Sequence, residues 1–365
     1  MQKILLFIAS LFYFNSLFAK DEIKSWQGIH ETPLSRLEQQ FADPPVEFAN
    51  HVIWGWEGKM DKKTICNDLD SIKKKGFRAI IFEAGYKLPF KYLSEEWFKA
   101  IRTGVLEAKK RGMKVWIIDE GKYPSGFAGG KFSQERPDLR MQALVIGDTI
   151  QIKRGEVMTN HKIAPEIISA VAVSTSGAPN RTVAINNGEI SFNAGLDDWK
   201  ILLVKSDFRT AVTRAVNNPN GGKDATNSLC DYLNPVAVQQ FIDWTHEQYK
   251  KYLGKELGTT VLGFRGDEPD YAHLPWTPSI VQTFKDTKGY DPTPYLASFF
   301  TTSPTIQEQR VKADYWDVWS SLFATHFFKL QADWCAANGV ATLPILTKNM
   351  KCPHVLKLKE TISGI

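Results

Sequence analysis

The chain has 365 residues, 45 Lys and Arg against 40 Asp and Glu, a formal net charge of +5 and 12% aromatic residues. That length suits one large core or two domains, and the composition is that of a globular protein, not a disordered or fibrous one. The basic residues are scattered, with short groups at 73–75 and 109–111 near the ends of expected helices, where cations suit the C-terminal dipole; without a basic stripe they argue against nucleic acid as a partner. The elements follow in chain order. Lys3, an apolar stretch over 4–18 broken at Asn15 and Ser16, and the small residue Ala19 read as a signal peptide over 1–19. The stretch is too short and interrupted to span a bilayer, and Lys20, Asp21 and Glu22 follow at once. The mature protein is therefore expected to be secreted or periplasmic, with no stable membrane anchor after cleavage.

Residues 51–57 read as a strand, and 61–75 as an amphipathic helix with Ile65, Leu69 and Ile72 on one face. Gly76 ends that helix. Residues 78–83 are a near-continuous apolar strand of the doubly covered kind, Ser94 caps a helix running to Arg111, and 114–120 is a third strand. Strands alternating with helices predict βαβ units and a parallel sheet. From about 143 to 222 the segments become short and alternating, and Asn187-Gly188 marks a hairpin. This is expected to be an inserted antiparallel β-domain, with 217–222 as the linker back. Asp231 and Asn234-Pro235 then start a helix to about Leu253, 260–264 is a fourth strand, 306–338 is helical and 340–346 is a fifth strand. The predicted fold class is α/β, of the (β/α)8 TIM-barrel type. Its barrel portions are 41–142 and 223–346. Eight strands close such a barrel and about five are read here, so it is expected to be incomplete, with 347–365 an atypical tail and the chain a fragment or frameshift product.

In parallel barrels functional groups sit at the C-terminal ends of strands. That rule collects Trp54, Trp56 and Glu57, then Glu83 and Tyr86, then Asp119, Glu120, Lys122 and Tyr123, and finally Arg265, Asp267, Glu268, Asp270 and Tyr271. Carboxylates interleaved with Trp and Tyr suit a sugar cleft. Glycoside hydrolysis needs a carboxylic acid for the leaving oxygen and a second carboxylate as nucleophile or base. Glu268 fits the acid best, with Asp267 beside it, Pro269 stiffening the turn, and Tyr271 and Trp276 close behind. The alternative is that Asp267-Glu268-Pro269 only caps a loop. Asp119 and Glu120 are further candidates, for catalysis or equally for binding substrate hydroxyls. Adjacent strand residues face opposite ways, so one of the two is expected in the cleft. Glu57 and Glu83 suit sugar hydroxyls or a Ca2+ ion, or are solvated loop acids. No cofactor is required.

His246 lies inside a helix and reads as a packed or surface histidine, and His30, His51 and His273 lack metal-ligand spacing. Ser125, in Pro124-Ser125-Gly126, is not in a nucleophile elbow. Gly129-Gly130-Lys131 lacks phosphate-loop spacing. Cys66, Cys230, Cys335 and Cys352 contain no Cys-x-x-Cys pair; free thiols and one disulfide both remain open.

The stretches Pro44-Pro45, Trp54-Gly55-Trp56, 92–98, 112–120, 123–130, 231–235, 245–249 and Gly266-Asp267-Glu268-Pro269 together resemble bacterial secreted glycoside hydrolases of the α-L-rhamnosidase-like group, family 106 and its relatives. The resemblance implies a (β/α)8 catalytic domain, β-rich accessory domains and an acid/base at Glu268, as in the similar Asn-Glu-Pro element of retaining barrel glycosidases. It also implies a second carboxylate on a later strand. The expected function is hydrolysis of O-glycosidic bonds in a plant or microbial polysaccharide, with α-L-rhamnosides as the leading substrate. The alternatives are a non-catalytic carbohydrate-binding remnant and a metal-dependent barrel hydrolase.

Overall fold

The computed structural model describes residues 33–42, 50–85, 87–121, 124–209, 228–271 and 273–345. The signal stretch, the 217–222 linker, the 347–365 tail, Tyr86, Lys122, Tyr123 and Cys352 lie outside them. The chain divides into two units, Met1–Ala49 and Asn50–Ile365. The described part of the first is one helix, α1 (Leu34–Ala42), with Leu34, Leu37 and Phe41 at helical spacing along one side.

The second unit is built on a parallel sheet of β1 (His51–Trp56), β2 (Ala79–Ala84), β3 (Lys114–Ile118), β11 (Val261–Asp267) and β13 (Ala341–Ile345), side by side in chain order. Helices α2 (Lys62–Lys74) and α3 (Glu95–Lys110) connect the first three strands. Asp61 caps α2 by accepting from the Thr64 N–H at 2.8 Å, and Ser94 caps α3 by accepting from the Trp97 N–H. The pleat sorts the side chains. Trp54, Trp56, Ile80, Phe82, Val115, Ile117 and Phe264 pack on the helix side with Trp97, Phe98, Ile101, Val105 and Tyr249. Gly55, Glu83, Trp116, Ile118, Arg265 and Asp267 take the other face by alternation.

After β3 come a short helix, α4 (Lys131–Glu135), and two antiparallel sheets. The larger joins β4 (Gln142–Ile152), β6 (Ile167–Ser174), β7 (Arg181–Thr182) and β10 (Trp199–Phe208). The smaller joins β5 (Val157–Lys162), β8 (Ile185–Asn186) and β9 (Glu189–Asn193) around the Asn187-Gly188 turn. In β10 the run Ile201 to Val204 is buried on both faces. Leu202 and Val204 join a second core with Leu144, Tyr232 and Trp319, while Ile201 and Leu203 join Phe192 and Trp199 under the small sheet. The large sheet also takes a strand from after β11: β12 (Pro275–Trp276) pairs with β4 at Ala143 and Gln142.

The remaining helices are α5 (Pro235–Trp244), α6 (His246–Leu253), α7 (Ile280–Lys288), α8 (Ile306–Leu322) and α9 (Lys329–Ala337). Two differ from the sequence reading. The helix expected to run unbroken to Leu253 turns at Thr245, whose φ of −114° and ψ of −83° are not helical. The long helix over 306–338 contains a π-helical segment at Phe323–Phe328. Aromatic contacts sit at both: the ring centroid of His246, just past the first break, lies 4.2 Å from that of Phe264, and that of Phe327, in the second, the same distance from that of Tyr232.

Candidate active site

The C-terminal ends of β3 and β11 are joined by one side chain. Ser125, 1% exposed, donates its hydroxyl to Asp119 Oδ1 at 2.6 Å and accepts the Asp267 N–H at 2.6 Å. Its own N–H donates to the Asp267 carbonyl at 2.9 Å, and Asp119 N–H donates to the Arg265 carbonyl at 3.1 Å. The Tyr232 hydroxyl donates to the Ser125 carbonyl. Gly126 follows at φ 100°, where an added Cβ would lie 2.5 Å from the Tyr232 ring. The loop therefore needs glycine for both its backbone angle and its space.

Glu120 has a different environment. It is wholly buried, and its carboxylate accepts N–H bonds from Gly121 at 2.7 Å, from Gly129 at 3.0 Å and from Ala128. Burial pushes its carboxyl up to about 8, against the pull of those donors. Burial likewise pushes Asp119 up to about 7; the Ser125 hydroxyl opposes this and the nearby Asp267 charge adds to it.

Asp267 and Glu268 are half-buried at the end of β11. Arg265 lies 3.9 Å from Asp267 on the same face. Glu268 has φ of 37°, a left-handed angle that a non-glycine residue adopts only when its surroundings impose it. Beyond it Asp270 pairs with Arg209 at 2.9 Å.

The structure thus brings Asp119, Arg265 and Asp267 together, with Glu268 next in the chain. Glu83 shares their sheet face two strands away, and Glu57 is exposed just past the end of β1. Other sequence candidates are placed differently. Trp54 and Trp56 sit at even positions of β1, so they point to the helices; Trp56 is 0% exposed and packs 5.7 Å from Trp97. Trp276 belongs to β12 and is 6% exposed, and Tyr271 packs 4.7 Å from Trp319. Trp56 and Trp276 are thus buried in the core, and Trp54 and Tyr271 are half-buried against it. Asp119 and Glu120 do not divide between two faces, because β3 ends at Ile118 and strand alternation no longer applies. Both are buried within the loop.

Ser125 and Tyr232 were legible only as motif members, and nothing in their spacing announces the bridge. Asp231, expected only at a helix start and in the 231–235 motif, is 3% exposed, pushed up to about 7 by burial and bonded by the Leu233 N–H, and it flanks a small cavity lined by Gln142, Tyr271, Trp276 and Trp319. His246 is packed as expected, with its Nδ1 2.9 Å from the Thr245 hydroxyl and its imidazole held down to about 3 by burial. No disulfide joins Cys66, Cys230 and Cys335 to one another. Among the described residues, no three His, Cys, Asp or Glu gather as a metal site, and no helix is long and apolar enough to cross a membrane.

The model of glycoside hydrolase family 106, described as alpha-L-rhamnosidase, matches residues 162–344, half of the chain. The chain belongs to this family. The matched span runs from the inserted sheets to β13 and includes the Gly266-Asp267-Glu268-Pro269 turn. A protein of Formosa agariphila provisionally named beta-glucuronidase is 23% identical over 363 residues, covering 84% of this chain and 30% of that protein. The solved structure of a rhamnosidase from Novosphingobium sp. PP1Y has a TM-score of 0.60 and 15% identity, over 86% of this chain and 47% of that one. The family 106 chain therefore shares a fold with part of a known rhamnosidase, and spans less than half the length of either relative.

Proposed function

We propose that the protein is a glycoside hydrolase in which Glu268 acts as the general acid/base. The observation that carries this reading is the backbone of Glu268, half-buried at a strand end and in a left-handed conformation. Strain of this kind persists only where its surroundings over-determine it, and it clusters at active sites. Family membership supports the same chemistry. Arg265, Asp267 and Glu83 on the adjoining sheet face are the groups expected to hold sugar hydroxyls, and Glu57 borders them. The five-stranded parallel sheet supports part of a (β/α)8 barrel, and the N-terminal stretch supports a secreted or periplasmic protein. The substrate proposed is an α-L-rhamnoside of a plant or microbial polysaccharide; the Formosa relative's name makes β-glucuronides the natural comparison. No cofactor is assigned to the reaction.

Assays with aryl α-L-rhamnosides and aryl β-glucuronides test this. The wild-type chain should release aryl alcohol from the rhamnoside, and Glu268→Gln should lose about 10²-fold or more of kcat, the lower range for removing an acid/base. Turnover unchanged in Glu268→Gln would remove the assignment.

A further inference from the structure

Resting on that reading, we infer that Ser125, oriented by Asp119, is the positioning residue that holds Glu268 in its working conformation. The strained φ of 37° needs a structural cause. Pro269 restricts the residue before it toward extended backbone with negative φ, so the sequence itself opposes the left-handed angle. The residue preceding Glu268 is clamped on both backbone polar groups by one serine. Asp267 N–H donates to Ser125 Oγ, and Asp267 C=O accepts from Ser125 N–H at 2.9 Å.

The clamp is itself fixed. A serine hydroxyl that accepts from a backbone N–H can rotate its own proton freely unless a second acceptor takes it. Asp119 Oδ1 takes it at 2.6 Å. Asp119 is anchored to the same strand end by its N–H bond to Arg265 O, and the Ser125 peptide is tied from behind by the Tyr232 hydroxyl and by Cys230 N–H to Gly126 O at 2.8 Å. Ser125 is therefore wedged between two segments far apart in sequence, and the turn carrying Glu268 is the one free to yield. Asp119 acts here as a hydrogen-bond acceptor. It acts through Ser125 and does not need its charge.

Kinetics and a crystal structure of Ser125→Ala test this together. The inference expects kcat to fall by about 10²-fold, the cost of roughly 1 Å of misplacement, with KM little changed. It also expects Glu268 to relax to a negative φ. Asp119→Ala should behave like Ser125→Ala, whereas Asp119→Asn, which keeps the acceptor oxygen, should stay near wild type. A Ser125→Ala structure with Glu268 still at positive φ overturns the inference whatever the turnover, and so does an Asp119→Asn loss equal to that of Asp119→Ala. If Ser125→Ala does not fold, the Asp119 pair decides by the same kinetic comparison and by the same backbone angle. Loss in Glu268→Gln with Ser125→Ala unimpaired removes only this inference; turnover retained in Glu268→Gln removes the hydrolase assignment itself.

Discussion

Adjacent carboxylates do different work at this site. Asp119 meets one hydroxyl, whereas Glu120 meets three backbone N–H groups and reaches no solvent. Its carboxyl group ties Gly121 to Ala128 and Gly129 as a capping side chain ties the first turn of a helix. Replacing it leaves those buried donors unsatisfied, and one orphaned buried donor costs about 1–3 kcal/mol. Glu120→Ala is therefore expected to lower stability by about 3 kcal/mol or more, read as a shift in urea midpoint. A loss under about 1 kcal/mol would mean that the donors find other partners. In the sequence, Asp119 and Glu120 stood as candidates of which one was expected in the cleft. The bonds of Glu120 were not legible there because its partners are backbone atoms, which every residue carries alike. Trp54 and Trp56 lie on β1 as the sequence indicated, but the even-numbered side of the pleat faces α3, where Trp56 fills the core and Trp54 packs half-buried against it.

At the scale of elements, local signals carried further. Asp61, Ser94 and Asn234-Pro235 each start a helix at the residue that the sequence indicated, since a cap depends on a side chain and a backbone N–H two or three residues away. The break at Thr245 and the π-helical segment at Phe323–Phe328 were not legible, because no local signal in the sequence marks either. Helix α3 shows the two kinds of information in conflict at Gly104. Helix propensity favours alanine there by about 1 kcal/mol. A Cβ, however, would lie 2.8 Å from Phe82 Cζ and 3.1 Å from Trp56 Cζ2, both in a packed core. Overpacking costs about 1–3 kcal/mol, so packing should win. Gly104→Ala is expected to lower the thermal midpoint by several degrees, and a raised midpoint would show that the β1–β2–α3 interface can yield.

For the whole molecule, buried acids set the response to pH. Asp119, Glu120 and Asp231 have folded values of about 7, 8 and 7, raised first by burial. A carboxyl raised on folding binds its proton more tightly in the native state. Its contribution is full below the unfolded value near 4 and is lost as pH rises through 7 to 8. His246, held down to about 3 by burial, works the other way below its unfolded value near 6.5. Glu107, held down to about 2 chiefly by Lys110, gives its contribution above about 4.5 and so adds no slope at neutral pH. Three acids outweigh one histidine. The thermal midpoint should therefore rise as pH is lowered from about 8 to about 5, and Asp231→Asn should flatten that rise. A midpoint independent of pH in calorimetry would show that these carboxyls are ionised in the folded protein.

The sequence by itself determined the alternation of strands and helices, the switch to antiparallel hairpins after β3, the helix starts, and the carboxylate turn at Asp267-Glu268. Each of these depends on periodicity or on chemistry within a few residues. Only the tertiary structure decided that the inserted sheet is completed by β12 from beyond β11, that Trp56 and Trp276 are core, and that Ser125 joins β3 to β11. Those outcomes depend on pleat parity and on backbone groups meeting across more than a hundred residues. No local pattern in the chain encodes them.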